Sequence, residues 1–101
     1  MTNKTNWEGL YRVQFKDWLC ILQRAEYAKG GTAIRLIEEE TYEPVATCTL
    51  WVEGLAEDEI AIKNYTENEG MLECLFQSDV IEWPHRFVMS GLAVVPITKL
   101  K

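Results

Sequence analysis

The sequence predicts an α+β domain: one mostly antiparallel sheet of five or six strands, with a single helix over residues 67–77 packed on it. Three observations carry this reading. Most apolar stretches alternate with a period of two, as half-buried strands do. A glycine pair and a Glu-Pro step stand between them, where the chain must reverse. Only the stretch after Thr66 spaces its apolar residues as a helix does. With 101 residues and 48% hydrophobic side chains, the chain suits one domain spanning residues 1–101 and can bury an ordinary core.

Between Tyr11 and Leu22, Val13, Phe15, Leu19 and Ile21 share one parity and Trp18, Cys20 and Leu22 the other. This reads as one long strand or two short ones, with a helix as the competing reading. Ala28-Lys29-Gly30-Gly31 supplies the positive φ of a tight turn. Thr32 to Glu39 alternates with Ile34 and Leu36 on one face, and Val45 to Val52 is β-branched and aromatic. Glu40-Thr41-Tyr42-Glu43-Pro44 reverses the chain between them, so residues 32–52 read as an antiparallel hairpin. A polar loop, Gly54 to Glu59, precedes a short strand, Ile60 to Ile62.

Thr66-Glu67-Asn68-Glu69 has the form of a capping box, in which the threonine hydroxyl accepts from the Glu69 amide and the Glu69 side chain reaches back. The helix that follows buries Met71, Leu72, Leu75 and Phe76, with Gly70 inside it at a cost of up to about 1 kcal/mol relative to Ala. Ser78 to His85 is a connection. Phe87 to Met89 and Leu92 to Ile97 are strands broken at Ser90-Gly91, and Pro96, lacking an N–H, is placed at an edge. An exposed edge near Leu92–Ile97 offers pairing to a second copy. Of the four tryptophans, Trp18 and Trp51 are assigned to the core, while Trp7 and Trp83 are less constrained.

The start, Met1 to Trp7, is polar, and no window holds the roughly 18 apolar residues of a spanning helix, so the expected location is the cytoplasm. Cys20, Cys48 and Cys74 are odd in number and form no C-x-x-C, which suggests neither a disulfide framework nor a zinc site. His85 is the only histidine, so neither a metal nor another cofactor is expected. A nucleophilic pair of Cys74 or Cys48 with His85 is the enzymatic alternative, but all three cysteines lie in apolar stretches where cysteine acts as a small hydrophobe. No phosphate-binding, dinucleotide-binding, nucleophile-elbow or zinc-protease motif occurs, and the expected protein is not an enzyme.

Charge is unevenly spread along the chain. The formal net charge is −6, but residues 1–35 carry +3, residues 36–82 carry −12 with Lys63 as their single base, and residues 83–101 carry +3. An acidic protein is not expected to bind nucleic acid or an anionic membrane directly. Solubility accounts for part of the segregation, and the helix dipole favours Glu67 and Glu69 near a helix start. Twelve net negative charges in 47 residues also repel one another. The sharper reading is a partner-binding acidic face of Glu38, Glu39, Glu40, Glu43, Glu53, Glu57, Asp58, Glu59, Glu67, Glu69 and Glu73, which meets a basic groove on another protein and steers association.

The run Ile62-Lys63-Asn64-Tyr65-Thr66-Glu67-Asn68-Glu69-Gly70-Met71-Leu72 resembles an uncharacterised family of small acidic bacterial proteins carried on plasmids, conjugative elements and phages. The likeness extends to Gly31-Thr32-Ala33, Glu43-Pro44-Val45-Ala46-Thr47, Asp58-Glu59 and Pro84-His85-Arg86, covering roughly Gln23 to Leu100. It implies a mobile-element accessory protein and supplies no catalytic residues. By analogy, such proteins inhibit host defence by occupying nucleic-acid sites, as anti-CRISPR and antirestriction proteins do.

The motif residues Asn64, Tyr65, Glu67, Asn68, Glu69 and Gly70 have two readings. Either they build a strand-to-helix junction, with Thr66 as cap and the asparagines bonded to nearby backbone, or they present polar groups to a partner. The expected function is a non-enzymatic inhibitor or regulator that binds a nucleic-acid-binding defence component. The alternative is a small-ligand or peptide-binding module that uses exposed aromatics.

Overall fold

The alternation near the start of the chain resolves into two strands, and the turn between them changes its parity. The computed structural model describes residues 12–101, so the readings for Trp7 and Tyr11 lie outside the described residues. β1 (Arg12–Phe15) and β2 (Trp18–Glu26) pair across Lys16-Asp17, with Val13 opposite Cys20. This puts Val13, Phe15, Cys20 and Leu22 on one buried face. Trp18 shares that face but lies at the turn, where the core ends, and is 43% exposed, which corrects its assignment to the core.

β2 continues through the turn at residues 27–31 into β3 (Thr32–Glu38), whose Ile34 and Leu36 are fully buried. β4 (Pro44–Thr47) completes a four-stranded antiparallel sheet of order β1-β2-β3-β4. The apolar stretch at residues 45–52 is not one strand. At Cys48 the chain leaves this sheet and enters a second: the Cys48 amide bonds to Ile34 O at 2.7 Å, and the Cys48 carbonyl accepts from Lys63 N at 2.8 Å.

The second sheet contains β5 (Thr49–Leu50), β6 (Glu59–Ile62), β7 (Arg86–Ser90) and β8 (Ala93–Lys99), in the order β5-β6-β8-β7 and antiparallel throughout. The α+β, mostly antiparallel class holds. The expectation of a single sheet of five or six strands is corrected to eight strands in two sheets among the described residues. Pro96 lies in the central strand β8 rather than at an edge. Pairing between β6 and β8 ends at Ala61 opposite Ile97, one step before Ile62 would have required an N–H from Pro96. Of the residues 92–97 expected to form an exposed edge, Leu92 lies in the exposed turn before β8 and the rest belong to β8, interior to the sheet, whose edge on that side among the described residues is β7.

Between the sheets lies a core of Val13, Phe15, Cys20, Leu22, Ile34, Leu36, Cys48, Ile60 and Ile62, closed by Met71, Leu72, Leu75, Val80 and Ile81. Each fully buried Leu or Ile there contributes about 1.5–3 kcal/mol. The opposite face of the second sheet holds a smaller cluster of Ala61, Val95 and Ile97, covered by Leu50, Val52, Leu55, Tyr65 and Val88.

The helix α1 (Met71–Gln77) begins later than predicted, after a 3₁₀ turn at Thr66–Asn68. The capping box does not form. Thr66 has φ 54°, and its hydroxyl lies within hydrogen-bond distance of Tyr65 O and Glu67 Oε1, to either of which its one proton can be donated. Gly70, placed inside the helix by the periodicity, is instead its N-cap, and its φ of 94° is one that a side chain would strain. Phe76, assigned to the buried face, is exposed and meets Trp83 edge-to-face, with centroids 4.9 Å apart.

Candidate functional site

The eleven carboxylates proposed as one face occupy three places. Glu38, Glu39, Glu40 and Glu43 lie at the C-terminal end of β3 and in the turn that follows. Glu53, Glu57 and Asp58 lie in the loop before β6 and Glu59 opens that strand; the loop faces the residue 27–31 turn at the other end of β3. The length of β3, about 20 Å, separates these two groups. Glu67, Glu69 and Glu73 surround the start of α1.

Four of the eleven are paired with bases. Arg12 Nε lies 3.3 Å from Glu39, Lys99 Nζ 3.3 Å from Asp58, and Lys63 Nζ 2.8 Å from Glu67. Lys63 and the Thr66 hydroxyl hold the Glu67 carboxyl down at about 2. Glu59 is the most completely engaged. Its side chain is 9% exposed and accepts from Arg86 Nη2 at 2.7 Å, Arg86 Nε at 3.1 Å and the Ala56 amide at 2.9 Å, with His85 Nε2 at 2.6 Å. These donors, Arg86 first, then the Ala56 amide and His85, hold its carboxyl below the usual carboxylate range. Arg12 precedes the acidic middle of the chain, while Arg86 and Lys99 follow it. Strand pairing therefore folds the basic flanks back onto it, which a linear charge map cannot register.

Among the described residues, Glu40, Glu43, Glu53, Glu57, Glu69 and Glu73 make no ion pair and no side-chain hydrogen bond. Two of these flank the tip of the β3–β4 turn. The turn is closed by Glu38 N to Glu43 O at 2.8 Å and Tyr42 N to Glu38 O at 2.9 Å. Thr41 Oγ1 braces it, donating to Glu38 Oε1 at 3.0 Å, and the Glu43 amide bonds to the same hydroxyl at 3.2 Å. At the tip stands Tyr42, 72% exposed and in left-handed backbone at φ 64°. A bulky residue rarely adopts that conformation, and no sequence signal in the turn pointed to it.

The motif around residue 64 makes structural bonds. Asn64 Oδ1 accepts from the Leu72 amide at 2.8 Å and so caps α1 from eight residues upstream. Asn68, 1% exposed, donates from Nδ2 to Thr47 O at 2.6 Å and ties the 3₁₀ turn to β4. Tyr65 packs on the smaller cluster, Gly70 caps the helix, and Glu69 faces solvent.

A cleft of about 400 Å3 opens between the residue 27–31 turn and the 51–57 loop. Leu50, Val52 and Leu55 line it together with Trp51, which is 39% exposed and therefore not the core residue expected. Lys29 Nζ sits 4.7 Å from the centre of the Trp51 ring. Burial pushes the Cys74 thiol up to about 11 and raises Cys20 and Cys48 as well, the opposite of an activated nucleophile. Among the described residues no group of three or more His, Cys, Asp or Glu could hold a metal ion, and no helix is long and apolar enough to cross a membrane. No protein-family model, curated protein or solved structure matches the chain.

Proposed function

We propose that the protein is a non-enzymatic inhibitor or regulator that binds another protein by inserting the β3–β4 turn into a basic groove. The observation that carries this reading is Tyr42, held exposed in a left-handed conformation between the unpaired carboxylates of Glu40 and Glu43. A left-handed tyrosine costs about 1–2 kcal/mol that a glycine would avoid, and strain of this kind clusters where binding exploits it. Tyrosine is favoured at interface hot spots because it buries a large area at low entropic cost, while the flanking acids steer the encounter. The acidic face is therefore narrowed to Glu38, Glu40 and Glu43. The resemblance to mobile-element proteins supports a partner from a host defence system whose groove otherwise holds nucleic acid.

The test is capture of a nucleic-acid-binding defence protein at low salt, its displacement by DNA or RNA, and its loss in two variants. Replacing Glu38, Glu40 and Glu43 with Gln should weaken binding strongly at about 50 mM NaCl. The effect should shrink at about 500 mM, where the screening length falls to about 4–5 Å. Tyr42→Gly should abolish capture while stability changes by less than about 1 kcal/mol, because relief of the left-handed strain and the entropy lost by glycine offset each other. Undiminished binding by both variants would remove the turn from the interface. The Trp51–Lys29 cleft supports a second reading, a ligand- or peptide-binding module. Its binding would be insensitive to salt and abolished by Trp51→Ala.

A further inference from the structure

Among the described residues each sheet has two edges, and three of the four edge strands are protected. β1 lies against α1, and Cys74 Sγ donates to its Gln14 carbonyl at 3.4 Å. β4 opens on Pro44 and pairs through a bulge at Leu36/Ile37, and β5 is two residues long. Charge, proline, bulges, brevity and cover are the devices that keep sheet edges from pairing. From Phe87 to Ser90, β7 has none of them among the described residues.

Its backbone is also oriented outward. Pro96 has no N–H, so the Phe87–Pro96 pair cannot be a hydrogen-bonded one. Arg86 and Val88 must therefore bond to β8, and the N–H and C=O groups of Phe87 and Met89 point away from it, with no backbone partner among the described residues. On one face of this edge Phe87, Met89 and Val94 are all exposed. They continue the face that β6 buries in the main core, since Phe87 lies opposite Pro96, Met89 opposite Val94, and Thr98 opposite Ile60.

We propose that β7 is a homodimerisation edge, on which two copies pair antiparallel about a two-fold axis at Val88. In that register Phe87 of one copy lies opposite Met89 of the other, and each such pair exchanges two backbone hydrogen bonds. The phenyl rings then meet the thioethers, a favourable contact, and Arg86 meets Ser90, so no like charges oppose. Charge also selects this edge on a protein of net charge −6: residues 83–101 hold no carboxylate, and Arg86 is already neutralised by Glu59. Two copies can meet here without acid facing acid. The assignment is independent of the β3–β4 turn.

The test is sedimentation equilibrium of the full chain from about 1 to 200 μM, a range that brackets a micromolar Kd. The expected mass rises to twice the 11.7 kDa of one chain. Met89→Lys should return it to the single-chain value with an unchanged circular dichroism spectrum, and Phe87→Lys serves if the first variant fails to fold. Met89→Pro should do the same, since it removes an N–H that only the dimer uses. A wild-type chain that stays monomeric throughout overturns the proposal. So does a dimer that survives in a folded lysine variant.

Discussion

Removing the Asn64 side chain isolates one bond whose cost can be worked from the structure. Its Oδ1 is the acceptor for the Leu72 amide, at 2.8 Å, in the first turn of a helix only seven residues long. The first intrahelical bond in that turn, Cys74 N to Gly70 O, leaves the Leu72 amide without another acceptor. Losing a side-chain cap costs about 0.5–2 kcal/mol, and the burial of Leu72 places this one in the upper half, at about 1.5 kcal/mol. For a domain of this size that is a fall in Tm of roughly 6–12 °C. With m near 2 kcal/mol/M it also lowers the urea midpoint by about 0.7 M. Asn64→Ala, followed by urea unfolding on two probes, measures it. Asn64→Asp keeps the acceptor, adds charge favoured at a helix N-terminus, and should lie within about 0.5 kcal/mol of wild type. If Ala costs less than about 0.3 kcal/mol, or if Asp is as damaging as Ala, the capping role is wrong and the motif regains its reading as a partner surface.

Asn68→Ala should be costlier, about 2–3 kcal/mol, because it deletes a buried side chain together with its bond to the Thr47 carbonyl; chemical denaturation reads this directly. The depressed Glu59 carboxyl makes stability rise with pH, since the unfolded chain binds its proton more readily. That stabilisation is complete above the ordinary carboxylate value near 4.5 and is lost as pH falls below it toward the folded value. Glu59→Gln should flatten urea midpoints between pH 6 and 2, and an unchanged slope would dismiss the Arg86–His85 cluster as its cause. Native alkylation at pH 8 should proceed far more slowly at Cys20, Cys48 and Cys74 than at a free thiol, because all three pKa values are raised; rapid labelling at any of them contradicts that environment.

Where periodicity was the signal, most of the core was readable, although Gly70 and Phe76 were misplaced by it. Ile34 and Leu36, the glycine turn before them, and Met71, Leu72 and Leu75 all lie where their spacing placed them. Misreadings arose where a distant partner decided the outcome. Thr66 loses the capping role because Asn64 reaches forward to the Leu72 amide and leaves Thr66 free to turn left-handed. Pro96 is tolerated in a central strand because the pairing of β8 with β6 ends one residue short of it. Residues 45–52 look like one strand because nothing in their own composition marks the point at which the pairing strand changes. Of the candidate site, the acids were legible as a group. Their division among three places, two of them at opposite ends of β3, and the neutralisation of Glu59 by Arg86 depend on strand order, which no linear count encodes.

Cys48 has a mechanical consequence. Its amide belongs to one sheet and its carbonyl to the surroundings of the other, while the adjacent Thr49 hydroxyl accepts from the Ile34 amide and bonds Tyr27 at 2.8 Å. One peptide step is thus a riveted joint between two layers that could otherwise have peeled apart as separate units. Opening either layer pulls on hydrogen bonds of the other, so the Ile34, Cys48 and Lys63 amides should exchange with solvent only when the whole molecule opens.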